Sequence, residues 1–139
     1  MRPVTVVVSL PVADAERSLR FYRDGLQLAD PEIDGGVVAF ELPNLSLFLI
    51  ERSEYAKYLE HAGVGPVASV PGACIISCAI GGTEEVDDIL TRAKAAGGSI
   101  PGPAEDHDGS YMGYFSDPDG HLWELVVNAR TEAAAGQYR

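Results

Sequence analysis

The feature that most constrains the fold is a repeat of one order of secondary structure. Residues 4–52 and 73–128 each contain, in the same order, patterns typical of a strand, a helix and three further strands. Aligning the two halves places Val7 opposite Ile75. Because only two copies exist, the repeat excludes a solenoid and predicts a duplicated α+β fold of paired βαβββ modules. In such a fold a helix covers one face of each sheet, and the two uncovered faces together line a cleft.

Module one is the first of these halves, and a short helix follows it in the sequence. Apolar and β-branched runs predict its strands, at 4–12, 26–29, 37–42 and 45–51. Asp14 can accept hydrogen bonds from the first turn of a helix over 15–24, and Gly25 stands where a helix C-cap belongs. Ser53 is placed to cap a second helix, over 54–61.

Module two follows a linker at 63–72, which contains three glycines and two prolines. Its strands are predicted at 73–80, from 99 onward, and on both sides of a turn at 117–120. Thr83 can cap a helix over 84–96, whose apolar residues share one face. Residues 101–110 are predicted to form a polar loop, and 129–139 a frayed or helical tail.

One carboxylate interrupts the last strand of module two. Residues 111–125 predict a strand, a tight turn through Pro118 and Gly120, and a second strand. Strand alternation places Glu124 on the opposite face from Trp123. Because burying an unpaired charge costs several kcal/mol or more, we expect a hydrogen-bonding partner, a perturbed protonation equilibrium or a solvated cavity at Glu124.

Composition narrows the class of protein. The net charge of −11 disfavours nucleic acid as a partner and favours either a cationic partner or acidity that only confers solubility. No apolar run approaches the roughly 20 residues of a membrane span. No secretory signal pattern follows Met1, so we expect a cytoplasmic protein. Cys74 and Cys78 stand about 13 Å apart along one strand, too far for a disulfide, and are expected to be buried thiols.

Three segments resemble the vicinal-oxygen-chelate superfamily, which includes glyoxalase I, extradiol dioxygenases, fosfomycin-resistance enzymes and bleomycin-resistance proteins. They are LPVADAERSLRFYRDGLQL at 10–28, EEVDDILTRAKAAGG at 84–98 and GYFSDPDGHLWEL at 113–125. The resemblance covers 4–128 and makes 1–139 a single domain of this type. It implies paired βαβββ modules that form an open barrel-like cleft, often completed in a homodimer. Since one fold hosts several activities, the resemblance does not choose among them.

The resemblance also implies where a metal would be held. Metal-dependent members place one ligand on the first strand and one on the last strand of each module. The four corresponding positions hold Val7, Phe48, Ile75 and Glu124. A catalytic divalent metal normally takes about three protein ligands, and three of these four side chains offer no lone pair. The sequence therefore predicts neither a metal nor another cofactor.

The same alignment predicts which side chains face the cleft and bind a ligand. They are Val7, Ser9, Phe48, Ile50, Ile75, Ser77, Tyr111, Tyr114 and Glu124. The set combines apolar surface with small hydroxyls and one carboxylate, which suits an organic ligand. Tyr111 and Tyr114 are expected to frame the mouth of the cleft, where they can stack on a planar molecule or pack against the protein. The alternative is that the whole set only fills the space between the sheets.

Two functions of different classes remain open, with a third beside them. The leading hypothesis is a protein similar to the bleomycin-resistance branch, which binds a small hydrophobic or cationic organic molecule as a homodimer and catalyses nothing. The alternative is a metalloenzyme, a glyoxalase-type lyase or a dioxygenase, in which Glu124 is the catalytic base or a ligand of one divalent metal ion. His107, His121 or a partner subunit would then supply further ligands. The third hypothesis is an interaction module with a plugged cleft.

Overall fold

The computed structural model describes residues 1–66 and 72–137. The chain divides into two compact units, Met1–Val70 and Pro71–Arg139, and each unit holds one four-stranded sheet. Part of the predicted linker at 63–72 and the last two positions of the predicted tail lie outside the described residues. The repeated order of elements is present in both units, so the predicted α+β class of paired βαβββ modules is confirmed.

The first unit is a mixed sheet with a helix on one face. In chain order its elements are β1 (Val7–Val12), α1 (Ala15–Leu19), a π-helix (Arg20–Gly25), β2 (Glu32–Asp34), β3 (Val37–Leu42), β4 (Leu45–Glu51) and α2 (Arg52–His61). The strand order is β1-β4-β3-β2, and β1 runs parallel to the central β4. The fully buried Leu47 and Leu49 of β4 mark the core face. There the Tyr22 ring packs edge-on against Phe21, with centroids 5.0 Å apart, and also contacts Phe40.

The first helix begins as predicted and ends differently. Asp14 caps it, because its carboxylate accepts from the backbone N–H of Glu16 at 2.9 Å and of Arg17 at 3.3 Å. From Arg20 the helix widens into π geometry, which closes with a bond from the Leu26 N–H to the Phe21 carbonyl. The Leu28 N–H likewise donates to the Tyr22 carbonyl, at 2.9 Å. These bonds take the backbone groups that a strand would need, so the predicted strand at 26–29 is wrong.

The second unit repeats the arrangement. Its elements are β5 (Ile75–Ala79), α3 (Thr83–Ala95), β6 (Glu105–His107), β7 (Ser110–Ser116), β8 (Leu122–Val127) and α4 (Ala129–Gln137). The strand order is β5-β8-β7-β6, with β5 parallel to the central β8. Leu125 of β8 and Val86 and Leu90 of α3 are buried, and the rings of Phe115 and Trp123 stack 5.8 Å apart. The tail is helical over Ala129–Gln137, and no helix among the described residues is long and apolar enough to cross a membrane.

Each sheet ends in a short edge strand that the sequence analysis did not predict. β2 is joined to β3 by Gly35 and Gly36, and β6 is joined to β7 by Asp108 and Gly109. Asp108 and Gly109 both have positive φ, at 50° and 86°, which matches the twist of a two-residue hairpin. The predicted polar loop at 101–110 is therefore wrong over its second half. The Asp-Gly pair was the signal that could have shown it.

The first residues of two helices and the exposure of one cysteine also differ from the prediction. The third helix begins at Thr83 itself, after the extended Gly82, so Thr83 is not the cap. The second helix begins at Arg52 rather than after Ser53, because β4 runs into it without a connecting residue. Cys74 is exposed because it precedes the first paired residue of β5.

Gly113 of β7 lies directly beneath α3. A Cβ at this position would stand 2.9 Å from Leu90 Cδ1, 3.2 Å from Val86 Cγ1 and 3.3 Å from the Ala104 Cβ. Val86 is fully buried and Leu90 is nearly so, which leaves them little room to move. The absence of a side chain at Gly113 thus sets how closely the helix approaches the sheet.

We predict that Gly113→Ala lowers the free energy of unfolding by about 1–3 kcal/mol, the usual cost of overpacking a core. Urea unfolding followed by circular dichroism measures it. Gly102→Ala is the matched control, because a Cβ there meets nothing within 4 Å. Equal unfolding midpoints for the two variants would contradict the predicted close contact.

Candidate functional site

Three polar side chains form one row on the uncovered face of the second sheet. The register pairs Ser77 of β5 with Glu124 of β8, and Glu124 in turn with Tyr114 of β7. Paired residues point to the same side of a sheet. Gly113, the residue before Tyr114 in β7, faces α3, so the row lies on the side of the sheet away from that helix.

Glu124 has a hydrogen-bond donor on each carboxylate oxygen. The Ser77 hydroxyl donates to Oε1 at 3.0 Å, and the Tyr114 hydroxyl donates to Oε2. The side chain is half-buried in the middle of β8. The hydrogen-bonding partner expected for this carboxylate is therefore present. There are two such partners, Ser77 of β5 and Tyr114 of β7, one on each side of β8. Two donors also fix the orientation of the carboxylate, because each oxygen is tied to a different neighbouring strand.

Apolar side chains flank this row on both sides. Ile75 pairs with Leu122 on one side, and Ala79 pairs with Val126 on the other. Ile75 is 51% exposed although it is large and apolar. The second unit thus presents an oriented carboxylate within an apolar surface. Such an arrangement can accept a hydrogen bond from a hydroxyl or an ammonium group of a bound molecule while its apolar part is desolvated.

Tyr111 is not brought together with this row. Its hydroxyl donates to Asp87 Oδ1 of α3, on the helix side of the sheet. Tyr111 and Tyr114 are three residues apart in one strand, and strand alternation sends them to opposite faces. The hydrogen bond to Asp87 raises the pKa of Tyr111. Strand parity was the sequence signal that could have separated the two tyrosines.

The other predicted residues lie on the face of the first sheet opposite α1, where Tyr58 of α2 also lies and where Ile50 is only 3% exposed. Val7 pairs with Ser46, and Ser9 pairs with Phe48 across β1 and β4. Phe48 and Ile50 are two residues apart in β4 and therefore share this face. They form part of an open concavity of about 290 Å³. Its lining is Glu32, Asp34, Val37, Ala39, Phe48, Ile50 and Tyr58.

Sequence reasoning missed three polar members of this lining. Glu32 and Asp34 belong to the unpredicted edge strand β2, and Tyr58 belongs to α2. No local pattern connects these positions with Phe48. The alternation of Glu32, Ile33 and Asp34 was the available signal, since it places both carboxylates on one side of a short strand.

The described residues do not fit a catalytic divalent metal. Val7, Phe48 and Ile75 occupy the positions implied for ligands on the uncovered faces, and none has a donor atom. Within residues 1–66 and 72–137, no group of three or more His, Cys, Asp or Glu side chains is placed to hold a metal ion.

The two histidines named under the enzyme hypothesis have other surroundings. His107 is exposed on β6, with its Nε2 4.0 Å from Glu105. His121 follows the turn, where its backbone N–H donates to Asp117 Oδ1 at 2.9 Å. In the described part of the chain, neither histidine belongs to a group of side chains that could hold a metal.

The hydrogen bond to Glu124 raises the pKa of Tyr114, and burial and the nearby negative charge act in the same direction. We predict that Glu124→Gln lowers the pKa of Tyr114, because an amide does not repel a phenolate. Carbon-13 NMR of the tyrosine Cζ atoms measures it. Ser77→Ala is the control, since it removes the other donor and keeps the Tyr114 contact. An unchanged pKa of Tyr114 in Glu124→Gln would show that the bond does not persist in solution.

The same shift predicts a pH dependence. The pKa of Tyr114 in the folded chain is raised above the value of about 10 for an unfolded chain. The contribution of this bond to stability is therefore fully present below that pH and is lost as the pH rises through the folded-state pKa. Tyr114→Phe should consequently have a lower free energy of unfolding than the parent chain at neutral pH. The difference between the two free energies should become smaller at strongly alkaline pH.

Solved structures similar to this chain share its fold. A glyoxalase-related enzyme from Fulvimarina pelagi is 29% identical, with a TM-score of 0.79 over 92% of this chain and 89% of that one. A hypothetical protein from S. aureus is 25% identical, with a TM-score of 0.78 over 91% and 94%. A lactoylglutathione lyase from Agrobacterium tumefaciens, at 24% identity, has a TM-score of 0.65 over 91% and 95%, which shows the fold alone.

No curated protein matches the chain. The sequence model that does match is that of the Glyoxalase/Bleomycin resistance protein/Dioxygenase superfamily, over residues 5–125. This match spans most of the chain, and the two βαβββ units described above have the architecture that the resemblance implied. The chain therefore belongs to the Glyoxalase/Bleomycin resistance protein/Dioxygenase superfamily.

Proposed function

We propose that this chain binds a small hydrophobic or cationic organic molecule on the uncovered faces of its sheets, without a catalytic metal ion. The observation that carries the proposal is the chemistry of the four positions where metal-dependent relatives hold ligands. Val7, Phe48 and Ile75 provide apolar surface there, and Glu124 is already bonded to two hydroxyl groups. These positions are suited to desolvating a ligand rather than to coordinating a metal.

The carboxylate of Glu124 would orient the ligand. Ser77 and Tyr114 hold both of its oxygens through one bond each. A carboxylate oxygen can accept more than one hydrogen bond, so acceptor capacity remains for a hydroxyl or an ammonium group. Placing a fixed acceptor in apolar surroundings strengthens such a bond, because the local dielectric is low.

We further propose that the protein works in the cytoplasm as a homodimer. Val7 is 45% exposed and Ile75 is 51% exposed on the uncovered faces. Removing apolar side chains of this size from water lowers the free energy, so their burial against a second copy of the chain would stabilise a dimer. Sedimentation velocity of the purified chain tests the dimer, and a monomer at micromolar concentration would contradict it.

The second candidate function is that of an enzyme, a glyoxalase-type lyase or a dioxygenase, in which Glu124 is a base or a metal ligand. The observation that favours it is the hydrogen bond between the Tyr114 phenol and the Glu124 carboxylate, because such a pair can transfer a proton. In this case Glu124→Gln would abolish turnover of the substrate and leave its binding largely intact. Binding without turnover in the parent chain supports the first proposal instead.

We predict that chelator-treated protein binds none of zinc(II), nickel(II), manganese(II) and iron(II) with a Kd below about 10 µM in calorimetric titration. The physical reason is that one carboxylate cannot replace the roughly three ligands of a catalytic site. Glu124→Gln is titrated in parallel. Tight binding of one ion per chain that is lost in Glu124→Gln would overturn the proposal and favour the enzyme.

A further inference from the structure

The concavity of the first unit differs chemically from the row around Glu124. Phe48 and Ile50 of β4 contribute its apolar surface, together with Val37 and Ala39 of β3. The register pairs Ala39 with Phe48 and Val37 with Ile50, so these four side chains form a continuous patch across two strands. Tyr58 of α2 adds an aromatic ring to the same concavity.

Two carboxylates stand at the edge of this patch. Glu32 pairs with Ala39, and Asp34 pairs with Val37, so both acidic side chains extend the same two rows of the sheet. Their Cα atoms are about 7 Å apart, as expected for residues i and i+2 of a strand. A single ammonium group placed between them can interact with both.

The charge of the concavity has one sign. Among the described residues, neither lysine nor arginine nor histidine contributes to its lining. Among the ion pairs of the described residues, none involves Glu32 or Asp34. The whole chain carries a net charge of −11, which adds to the local negative potential. A cationic ligand is therefore favoured here, and an anionic one is repelled.

We propose that this concavity binds a small organic cation, an aryl- or alkylammonium ion. Its positive group lies between Glu32 and Asp34, and its apolar body packs on Phe48 and Val37. The Tyr58 ring adds a cation–π contact. This inference rests on the proposed function, for which it names the ligand class. It also assigns the preference for a positively charged ligand to the edge strand β2, which contains none of the four positions that the resemblance implies for metal ligands.

The test uses benzyltrimethylammonium chloride and its uncharged carbon isostere, neopentylbenzene. Each is titrated into the full chain labelled with nitrogen-15, and two-dimensional NMR follows the backbone amides. We expect the cation to shift amides of β2, β3, β4 and α2. We also expect its affinity to fall when sodium chloride is raised from 50 to 500 mM, because exposed charges are screened over a shorter distance.

The decisive variant is Glu32→Gln with Asp34→Asn. Removal of both charges should weaken binding of the cation about ten-fold or more, because both of its charge contacts are lost. Asp88→Asn with Glu132→Gln is the matched control. It changes the net charge by the same amount on exposed residues of α3 and α4. Both double variants should keep the parent spectrum outside the substituted positions.

Three results would overturn the inference. They are equal affinity for the uncharged isostere, equal affinity in the Glu32 and Asp34 double variant, and shifts confined to the second unit. Each of them leaves the proposed function standing, because an uncharged organic ligand still satisfies it. Conversely, tight metal binding through Glu124 would contradict the proposed function. The NMR titration at the concavity of the first unit could still be interpreted independently.

Discussion

The parallel pairing of the first and last strands of each module is the interaction on which the rest of the structure depends. It puts β4 and β8 at the centre of their sheets, with a neighbour on both sides. A central strand has one face under the helix and one face away from it, so alternate residues meet different surroundings. For β8 this means that Trp123 and Leu125 enter the core, while Glu124 is placed between Ser77 and Tyr114. A carboxylate in that position is tolerated because two hydroxyl groups reach it from the adjacent strands.

The two modules share a topology but present different chemistry on their uncovered faces. In the second module, one carboxylate is held by hydroxyl donors within an apolar surface. In the first module, the central strand places Phe48 and Ile50 on this face, its Ser46 hydroxyl donates to Glu41 of β3, and the carboxylates Glu32 and Asp34 lie at the edge of the sheet. The two modules therefore share a backbone arrangement, which the core residues determine, and differ in the side chains on these faces. Function in this superfamily is accordingly read from the side chains on these faces rather than from the fold.

Membership of the superfamily and possession of its metal chemistry are separate properties of this chain. The membership follows from the helix and turn segments and from the repeated strands, which pack the core. The resemblance implies metal ligands at four positions, and Val7, Phe48 and Ile75, which occupy three of them, have no donor atoms. Apolar residues at these positions are compatible with the fold, because a strand accepts them on a partly exposed face. The architecture therefore does not require metal ligands at these positions.

Local patterns in the sequence determined the repeated order of elements, the cap at Asp14 and the separation of Glu124 from Trp123 onto opposite faces. Each of these depends on residues that are close in the chain, where periodicity and capping act directly. Only the tertiary structure decided that Ser77, 47 residues away, bonds to Glu124, and that Glu32 and Asp34 border Phe48. It also decided the π-helical turn that begins at Arg20. The physical reason is that strand register between distant segments is set by contacts for which no local pattern exists.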